Sequence, residues 1–192
     1  VLTGDIFDES TTRSQMEQTS AILGKVSAKY GTYYVWGNHD PNHYTSQPNY
    51  SMDDLRSTLK QEGIHILEDE ALQVTPQLAV IGRVDSSINA DRKSIGELMS
   101  GIDPASYIVL LDHRPVLLDE NADAGIDLQL SGHTHAGQIW PTGQLSFLLG
   151  INEWNYGMKT IDDFHAIVSS GIGGWGYAIR TGRHSEYVII DV

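Results

Sequence analysis

The residues of this chain that could do chemistry fall into four short polar clusters. Each cluster follows a stretch rich in apolar, strand-forming residues, and most contain a glycine. The clusters are Gly4-Asp5-Ile6-Phe7-Asp8, Gly37-Asn38-His39-Asp40, Asp112-His113 and Gly132-His133-Thr134-His135. Their carboxylate, amide and imidazole groups are the oxygen and nitrogen ligands that suit Mn, Fe, Zn or Co. The combination therefore predicts a transition-metal site that is assembled from four separate parts of the chain.

The position of the clusters at strand ends supports this prediction. In α/β sheets, ligands bind just outside the carboxyl ends of the strands. A glycine before a ligand residue allows an abrupt turn and a close approach of the backbone to an ion. Taken singly, each cluster has a simpler explanation: Gly-Asp can be a turn with an Asx hydrogen bond, and His113 can be a satisfied structural histidine. It is the order of all four clusters that favours a metal site.

The segments between the clusters are typical of alternating helices and strands. Periodic apolar positions and capping residues predict helices at residues 10–30, 51–62 and 94–99 and a helical turn at 116–120. Runs of strand-forming residues predict strands at 33–36, 64–67, 72–74, 78–81, 107–111, 126–130, 166–169 and 187–191. This order predicts an α/β layered domain with a mixed sheet or two packed sheets.

The composition excludes several classes of protein. The 192 residues include 12 Lys and Arg against 25 Asp and Glu, which gives a formal net charge of −13. Such an acidic chain repels nucleic-acid phosphates, so we expect no nucleic-acid partner. The absence of cysteine excludes disulfides, thiolate zinc sites and thiol catalysis. The length predicts a single domain over residues 1–192, and no apolar run approaches the roughly 18–20 residues that span a bilayer.

On these residues the chain resembles the calcineurin-like metallophosphoesterases. Their pattern is D-x-H, G-D-x-x-D, G-N-H-[DE], a lone H after a strand, and G-H-x-H, and the last four blocks occur here in order. Gly132-His133-Thr134-His135-Ala136-Gly137-Gln138 further resembles a bacterial branch that often carries an N-terminal membrane anchor or export signal. The resemblance spans essentially the whole chain. It implies a four-layer α-β-β-α fold and hydrolysis of a phosphomonoester, phosphodiester or pyrophosphate bond.

The resemblance also implies which residues bind metal. By position, Asp5 would bridge two divalent ions, and His135 would bind one of them. The remaining ligands of the other ion would be Asn38, His113 and His133. A water activated by the ions would then attack phosphorus in line, while the ions offset the charge on the phosphoryl oxygens.

Other residues would act on the substrate directly. The resemblance implies that His39 is the acid that meets the leaving-group oxygen and that Asp40 orients it. Arg180 is a candidate ligand for a substrate phosphate, with a surface ion pair as the alternative. Arg83 and Asp85 end a strand and could face the substrate, although a structural role is the simpler interpretation.

One block of the family pattern is absent from the sequence. The chain begins at the strand that should follow D-x-H, so we interpret Val1-Leu2-Thr3 as part of a fold whose N-terminal strand is missing here. The second ion then keeps only Asp5 and His135, so we expect one ion to bind well and a second weakly or not at all. An exposed strand edge could also favour dimerisation. The alternative is a non-catalytic scaffold or binding module on the same fold, with one metal or none.

The partners and location are less defined by the sequence. Five aromatic residues gather in the last third of the chain: Trp140, Trp154, Tyr156, Trp175 and Tyr177. Core packing is the first interpretation, and an apolar rim for a lipid-like substrate is the alternative. The substrate is thus predicted to be a phosphorylated small molecule or a lipid-like one. The family branch implies a membrane-associated or extracytoplasmic location, with membrane contact only through a segment outside this sequence.

Overall fold

A computed structural model describes residues 1–150, 152–177, 179–182 and 184–191 of the chain. The helices are α1 (Arg13–Leu23), α2 (Met52–Gln61), α3 (Ile95–Met99), α4 (Leu118–Asp123) and α5 (Thr142–Leu148). The strands are β1 (Thr32–Tyr34), β2 (Ile64–Ile66), β3 (Glu70–Thr75), β4 (Leu78–Gly82), β5 (Tyr107–Leu111), β6 (Leu128–Ser131), β7 (Gly157–Ile161) and β8 (Phe164–Val168). Within these ranges, no helix combines the length and apolar character needed to cross a membrane.

The strands form two sheets. The larger sheet has the order β3-β4-β5-β6-β8-β7, with four parallel strands in the centre and an antiparallel strand at each edge. The smaller sheet pairs β1 with β2 in parallel. Leu2 joins β1 through a parallel bridge, in which its N–H donates to the Tyr33 carbonyl (2.8 Å) and its carbonyl accepts from the Val35 N–H (3.1 Å).

The alternation of side chains along the buried strands divides the core into three clusters. One lies beside α1 and α2, one between the two sheets, and one beside α3 and α4. Along β1 and the two residues after it, Tyr34 and Trp36 pack against α1 and α2, whereas Tyr33 and Val35 face the larger sheet. In β5, alternate side chains likewise divide between the smaller sheet and the α3–α4 side. Because successive residues of a strand point to opposite faces, a strand such as β1, β4 or β5 contributes to two clusters of the core. The result is α1/α2, small sheet, large sheet and α3/α4, which confirms the predicted four-layer α-β-β-α architecture.

The first helix is shorter than its sequence predicts. The interval 10–30 was expected to be helical, but α1 ends at Leu23 and Gly24 occupies its C-cap. Val26 and Tyr30, which continue the apolar period, are 61% and 46% exposed. Glycine is a poor helix former, and the residues after it have no core to bury against, so the apolar period alone does not extend the helix.

The last third of the chain differs most from the prediction. The helix α5 and the strand β7 were not expected, and the expected strand at 187–191 is not formed. The edge position beside β8 is taken by β7, which pairs with β8 as an antiparallel hairpin. Tyr187 and Ile189 are each 78% exposed, so their strand-forming character is not matched by a buried face.

Replacement of Leu110 tests the layered core. Leu110 is fully buried in the central strand β5, so Leu110→Ala should lower the free energy of unfolding by about 2–5 kcal/mol. Leu72→Ala is the matched control, because Leu72 lies on the edge strand β3 and is 39% exposed. Its cost should be within about 0.5 kcal/mol. Urea unfolding of both variants checks the prediction, and equal losses would contradict the assignment of β5 to the core.

Candidate active site

The site residues sit on backbone that is unfavourable for most side chains. Asp5, His133 and His135 have φ angles of 54°, 65° and 49°, in the left-handed region that favours glycine. Such residues cost on the order of 1–3 kcal/mol each and persist only where the surroundings fix them. Asp5 follows the bridge at Leu2, and the two histidines follow β6, so the strained positions lie where strand pairing has ended.

Two glycines allow the first two polar clusters to touch. A Cβ atom on Gly37 would lie 2.1 Å from the Asp5 Oδ1 atom, and one on Gly4 would lie 2.3 Å from the Gly37 nitrogen. Both distances are far below contact distance, so a side chain at Gly37 would displace Asp5, and one at Gly4 would push Gly37 away. The glycines of the G-D and G-N-H clusters are therefore needed for close approach of one loop to the other.

Asp40 ties these two loops together from beneath the site. Its fully buried carboxylate accepts the backbone N–H groups of Asp5 (2.8 Å), Gly37 (2.7 Å) and Phe7 (3.3 Å) and the Tyr34 hydroxyl (2.6 Å). Burial, and next the charge of Asp5, raise the pKa of Asp40 to about 6. The four donors oppose this shift in part and hold the backbone at Asp5 in its strained conformation.

This arrangement corrects the predicted role of Asp40. Asp40 was expected to orient His39 as part of the catalytic pair, but its hydrogen bonds go to the backbone and to Tyr34, and it is too deeply buried to meet a substrate. His39 instead donates from Nδ1 to the Glu9 carboxylate at 3.0 Å. Sequence analysis missed Glu9 because its partner lies 30 residues away and no motif links the two positions.

Three candidate metal ligands, one each from the first, third and fourth clusters, converge in the structure. The Asp5 Oδ2 and His113 Nε2 atoms are 3.0 Å apart, and His113 Nε2 and His133 Nδ1 are 3.1 Å apart. One ligand atom from each residue lies within 4.8 Å of the other two. His113 Nδ1 lies 2.6 Å from the carbonyl of Thr3 and donates to it, which turns Nε2 toward the other two groups. This is the second hydrogen bond that typically orients a metal-binding histidine.

The electrostatics of Asp5 and His133 suit a cation, whereas His113 is influenced mainly by its pairing with Asp5. Burial raises the pKa of Asp5, but the hydrogen bond and charge of His113 outweigh it, so the pKa is lowered. Burial lowers the pKa of His113, yet the Asp5 carboxylate raises it on balance. Burial, and then the charges of His113 and Arg114, lower the pKa of His133 to about 3. An ionised carboxylate and a neutral imidazole are the forms that coordinate a metal.

Asn38 supplies the observation that tests whether a metal fits. Its Oδ1 atom is buried and has no hydrogen-bond partner in the described part of the chain, while its Nδ2 donates to the Tyr44 hydroxyl at 3.4 Å. A buried acceptor without a partner is costly unless something else binds it. A transition-metal ion held by Asp5, His113 and His133 would use this oxygen, so the residues fit such an ion.

His135 lies close to these residues but outside the converging group. Together with Asp5, His39 and His133 it lines a cavity of about 410 Å³. Burial is the main cause of the lowered pKa of His135. Its role as ligand of a second ion stays a prediction.

The aromatic residues of the last third differ in their packing: Trp154 packs against the core on the α3–α4 side, as predicted, whereas the exposed ones do not. Trp175 and Tyr177 line the cavity that contains His39 and are 55% and 74% exposed. A neighbouring cavity of about 440 Å³ includes Trp140, Trp154 and Tyr156 among its lining residues. Core packing is therefore the wrong interpretation for Trp175 and Tyr177, which form a rim instead.

The arginine and aspartate candidates occupy different places. The Arg180 guanidinium donates to the carbonyls of Ser170 (3.0 Å) and Gly173, so it braces the glycine-rich loop, and its contact with a phosphate stays a prediction. Arg83 is buried, with its Nη1 atom 3.6 Å from the Asp112 carboxylate. Asp85 is also buried, so neither residue faces a substrate directly.

Comparison with known proteins agrees with this geometry. The calcineurin-like phosphoesterase family matches residues 1–137. An uncharacterized metallophosphoesterase of Aquifex aeolicus is 30% identical over 201 residues, which cover 100% of this chain and 71% of that protein. The uncharacterized metallophosphoesterase YkoQ of Bacillus subtilis is 28% identical over 193 residues, covering 96% of this chain and 68% of YkoQ. A transmembrane protein with metallophosphoesterase domain from Bos taurus is 29% identical over 203 residues, which cover 97% of this chain and 44% of the bovine protein.

This chain belongs to the calcineurin-like phosphoesterase family, as its motifs predicted. Membership implies metal-dependent hydrolysis of a phosphoester. The chain spans 50% of the length of a Campylobacter jejuni relative and 44% of the bovine one. Since the similarity includes vertebrate proteins, it is not confined to the bacterial branch.

Replacement of Gly37 tests the contact between the loops. Gly37→Ala places a methyl group against Asp5 Oδ1 and should lower the affinity for Mn²⁺ by about 10–100-fold, the usual cost of disturbing a ligand's support. Gly96→Ala is the control, because a Cβ atom there meets nothing within 4 Å. Isothermal titration with Mn²⁺ measures both variants. Unchanged affinity in Gly37→Ala would show that Asp5 does not need this backbone approach.

Proposed function

We propose that this chain carries the catalytic domain of a metal-dependent phosphoesterase, with a phosphorylated small molecule or a lipid-like phosphoester as substrate. The observation that supports this most is the convergence of Asp5 Oδ2, His113 Nε2 and His133 Nδ1 beside a cavity that also contains His39. Three metal ligands explain ion binding alone, whereas a fourth group that can transfer a proton in the same cavity favours an enzyme over a scaffold.

The ion would be held by Asp5, Asn38, His113 and His133. A bound transition metal would supply a water activated for attack on phosphorus and positive charge for the phosphoryl oxygens. We expect one ion to bind tightly to this chain, because Asp5, Asn38, His113 and His133 together supply its candidate ligands, whereas Asp5 and His135 are the two candidates for a second ion. The backbone N–H of His39 donates to Asp5 Oδ1 at 2.8 Å, which keeps Oδ2 directed at the histidines.

His39 would act on the leaving group. Its ring lies in the wall of the cavity, and Glu9 accepts a hydrogen bond from its Nδ1 atom. Nε2 is therefore the nitrogen that remains for the substrate. A proton or hydrogen bond from Nε2 would offset the charge that develops on the departing oxygen. Tyr44 and Trp175 lie beside the imidazole, with ring centroids 5.1 and 6.1 Å away, and limit its rotation.

Two substitutions separate chemistry from metal binding. His39→Ala should lower kcat by roughly 10²–10⁴-fold with p-nitrophenyl phosphate or its diester and leave Mn²⁺ content near normal. Asp5→Asn should lose metal and activity together, since it removes a ligand charge. The control is His43→Ala, an exposed histidine four residues further along the same loop, which should change neither quantity.

Steady-state rates and elemental analysis of the same preparations give both quantities. Equal metal loss in His39→Ala and Asp5→Asn would overturn the division of roles. Wild-type protein that binds Mn²⁺ but hydrolyses neither ester with Mn²⁺, Fe²⁺, Zn²⁺ or Co²⁺ would favour the binding module instead.

The contact between Glu9 and His39 leads to a separate prediction. Glu9→Gln should lower kcat by about 10–100-fold, because a hydrogen bond to a charged group contributes about 1.5–3 kcal/mol. In the His39→Ala background the same change should have almost no further effect, since the two residues act as a unit. Glu17→Gln on the exposed face of α1 is the control. A full, additive loss in the double variant would show that Glu9 acts independently of His39.

A further inference from the structure

Arg114 places a positive charge against one of the candidate metal ligands. It follows His113 directly, and its side chain is 28% exposed. Its Nε atom donates to Asp85 Oδ2 at 2.7 Å, and its Nη1 atom lies 3.2 Å from His133 Nε2. The guanidinium thus spans from a buried carboxylate to the imidazole that lines the cavity.

Asp85 anchors this arginine at its Nε atom. Asp85 is fully buried, and its other oxygen accepts the backbone N–H (2.8 Å) and the hydroxyl (2.6 Å) of Ser87. With both oxygens engaged, the carboxylate has little freedom to move. Nε of Arg114 is bound to Asp85, and Nη1 is directed at His133.

The contact between Arg114 Nη1 and His133 Nε2 fits His133 only while no ion is bound to its Nδ1 atom. Arginine only donates hydrogen bonds, so His133 Nε2 must accept, and the proton of a neutral imidazole is then on Nδ1. Nδ1 is the atom that converges with His113 and Asp5. If Nδ1 were to hold an ion, the imidazole proton would lie on Nε2, which would then be a donor. Two donors would face each other, and Arg114 Nη1 would need another acceptor.

An anionic substrate in the cavity would need a cation to bind it. None of its described lining residues is lysine or arginine, and the chain as a whole carries a formal charge of −13. Arg180, the candidate from the sequence, already donates both Nη groups to backbone carbonyls of its loop. Arg114 is the arginine whose present acceptor is lost when the ion binds.

We propose that Arg114, released from His133 on metal binding and pivoting on Asp85, binds a non-bridging phosphoryl oxygen of the substrate. This inference rests on the proposed function and names the residue that recognises the anionic group. A planar guanidinium matches two phosphate oxygens, which makes it a stronger ligand for them than an ammonium group. Asp85 is a positioning residue in this scheme, because it touches Arg114 and not the substrate.

Phenylphosphonate, which cannot be hydrolysed at its P–C bond, is the probe. Isothermal titration into the Mn²⁺-loaded protein should show an affinity that Arg114→Met lowers by about 10–100-fold, and Arg114→Lys should lose less. Affinity for Mn²⁺ in Arg114→Met should be equal or tighter, because a cation beside the site has been removed. Arg13→Met on the surface of α1 is the matched control, and Arg180→Met is the competing candidate.

The double variant Asp85→Asn/Arg114→Met guards against a folding defect, since it leaves no unpaired carboxylate in the interior. It should fold and show the same loss for phenylphosphonate. Unchanged phosphonate affinity in both Arg114 variants, a loss in Arg180→Met instead, or weaker Mn²⁺ binding that accompanies the loss would each overturn the proposal. So would wild-type protein that does not bind the probe.

The same measurements separate this inference from the proposed function. Arg114-dependent phosphonate binding in a protein without esterase activity would support the inference and contradict the function. Esterase activity with an unchanged phosphonate affinity in Arg114→Met would do the reverse.

Discussion

The buried carboxylate of Asp40 is the interaction on which the site depends most. It receives three backbone N–H groups from two loops and a hydroxyl from the core. A buried carboxylate is costly without such donors, and the same donors would be costly without it. The two loops are therefore stable together and in one relative position. Because Asp5 lies in one loop and His39 in the other, this single side chain sets the distance between the candidate metal ligand and the proposed proton donor.

The strained backbone of the site is a consequence of that constraint. Asp5 can keep a positive φ because its own N–H is bound to Asp40 and because Gly37 leaves room for its carboxylate. In turn, Asp5 Oδ2 meets His113 Nε2, whose other nitrogen is bound to the carbonyl of Thr3. Asp5 and His113 are thus each oriented by a contact to backbone, Asp5 through the N–H of His39 and His113 through the carbonyl of Thr3. The ligands therefore point at one place before any ion is bound, which reduces the ordering that binding requires.

The sequence predicted the parts of this site that are local and periodic. Glycine before Asp5 and before Asn38 could be interpreted without a structure, and β5 has the bounds that its apolar run predicts, Tyr107–Leu111. The partner of His39 could not be predicted, because Glu9 and Asp40 are equally acidic and only the fold decides which one meets the ring. Residues 187–191 show the same limit of sequence-based prediction, because there the sequence predicts a strand that the fold does not form. This segment has the residues of a strand, but the sheet edge is already occupied by β7, whose own pattern is weak.

The buried carboxylates at the end of β5 are paired with arginines, which is compatible with the proposed binding of an anionic substrate by an acidic chain. Asp112 is fully buried between two arginines, with its carboxylate 3.1 Å from Arg92 Nη1 and 3.6 Å from Arg83 Nη1. Burial raises the pKa of Asp112, and the two arginines oppose this shift. Asp85 is paired with Arg114 in the same region. Asp112 and Asp85 are thus each paired with at least one guanidinium. The net negative charge of the chain is therefore carried elsewhere and screened by solvent. Locally, the carboxylate that remains directed at the cavity is Asp5, which is the one that an ion would neutralise.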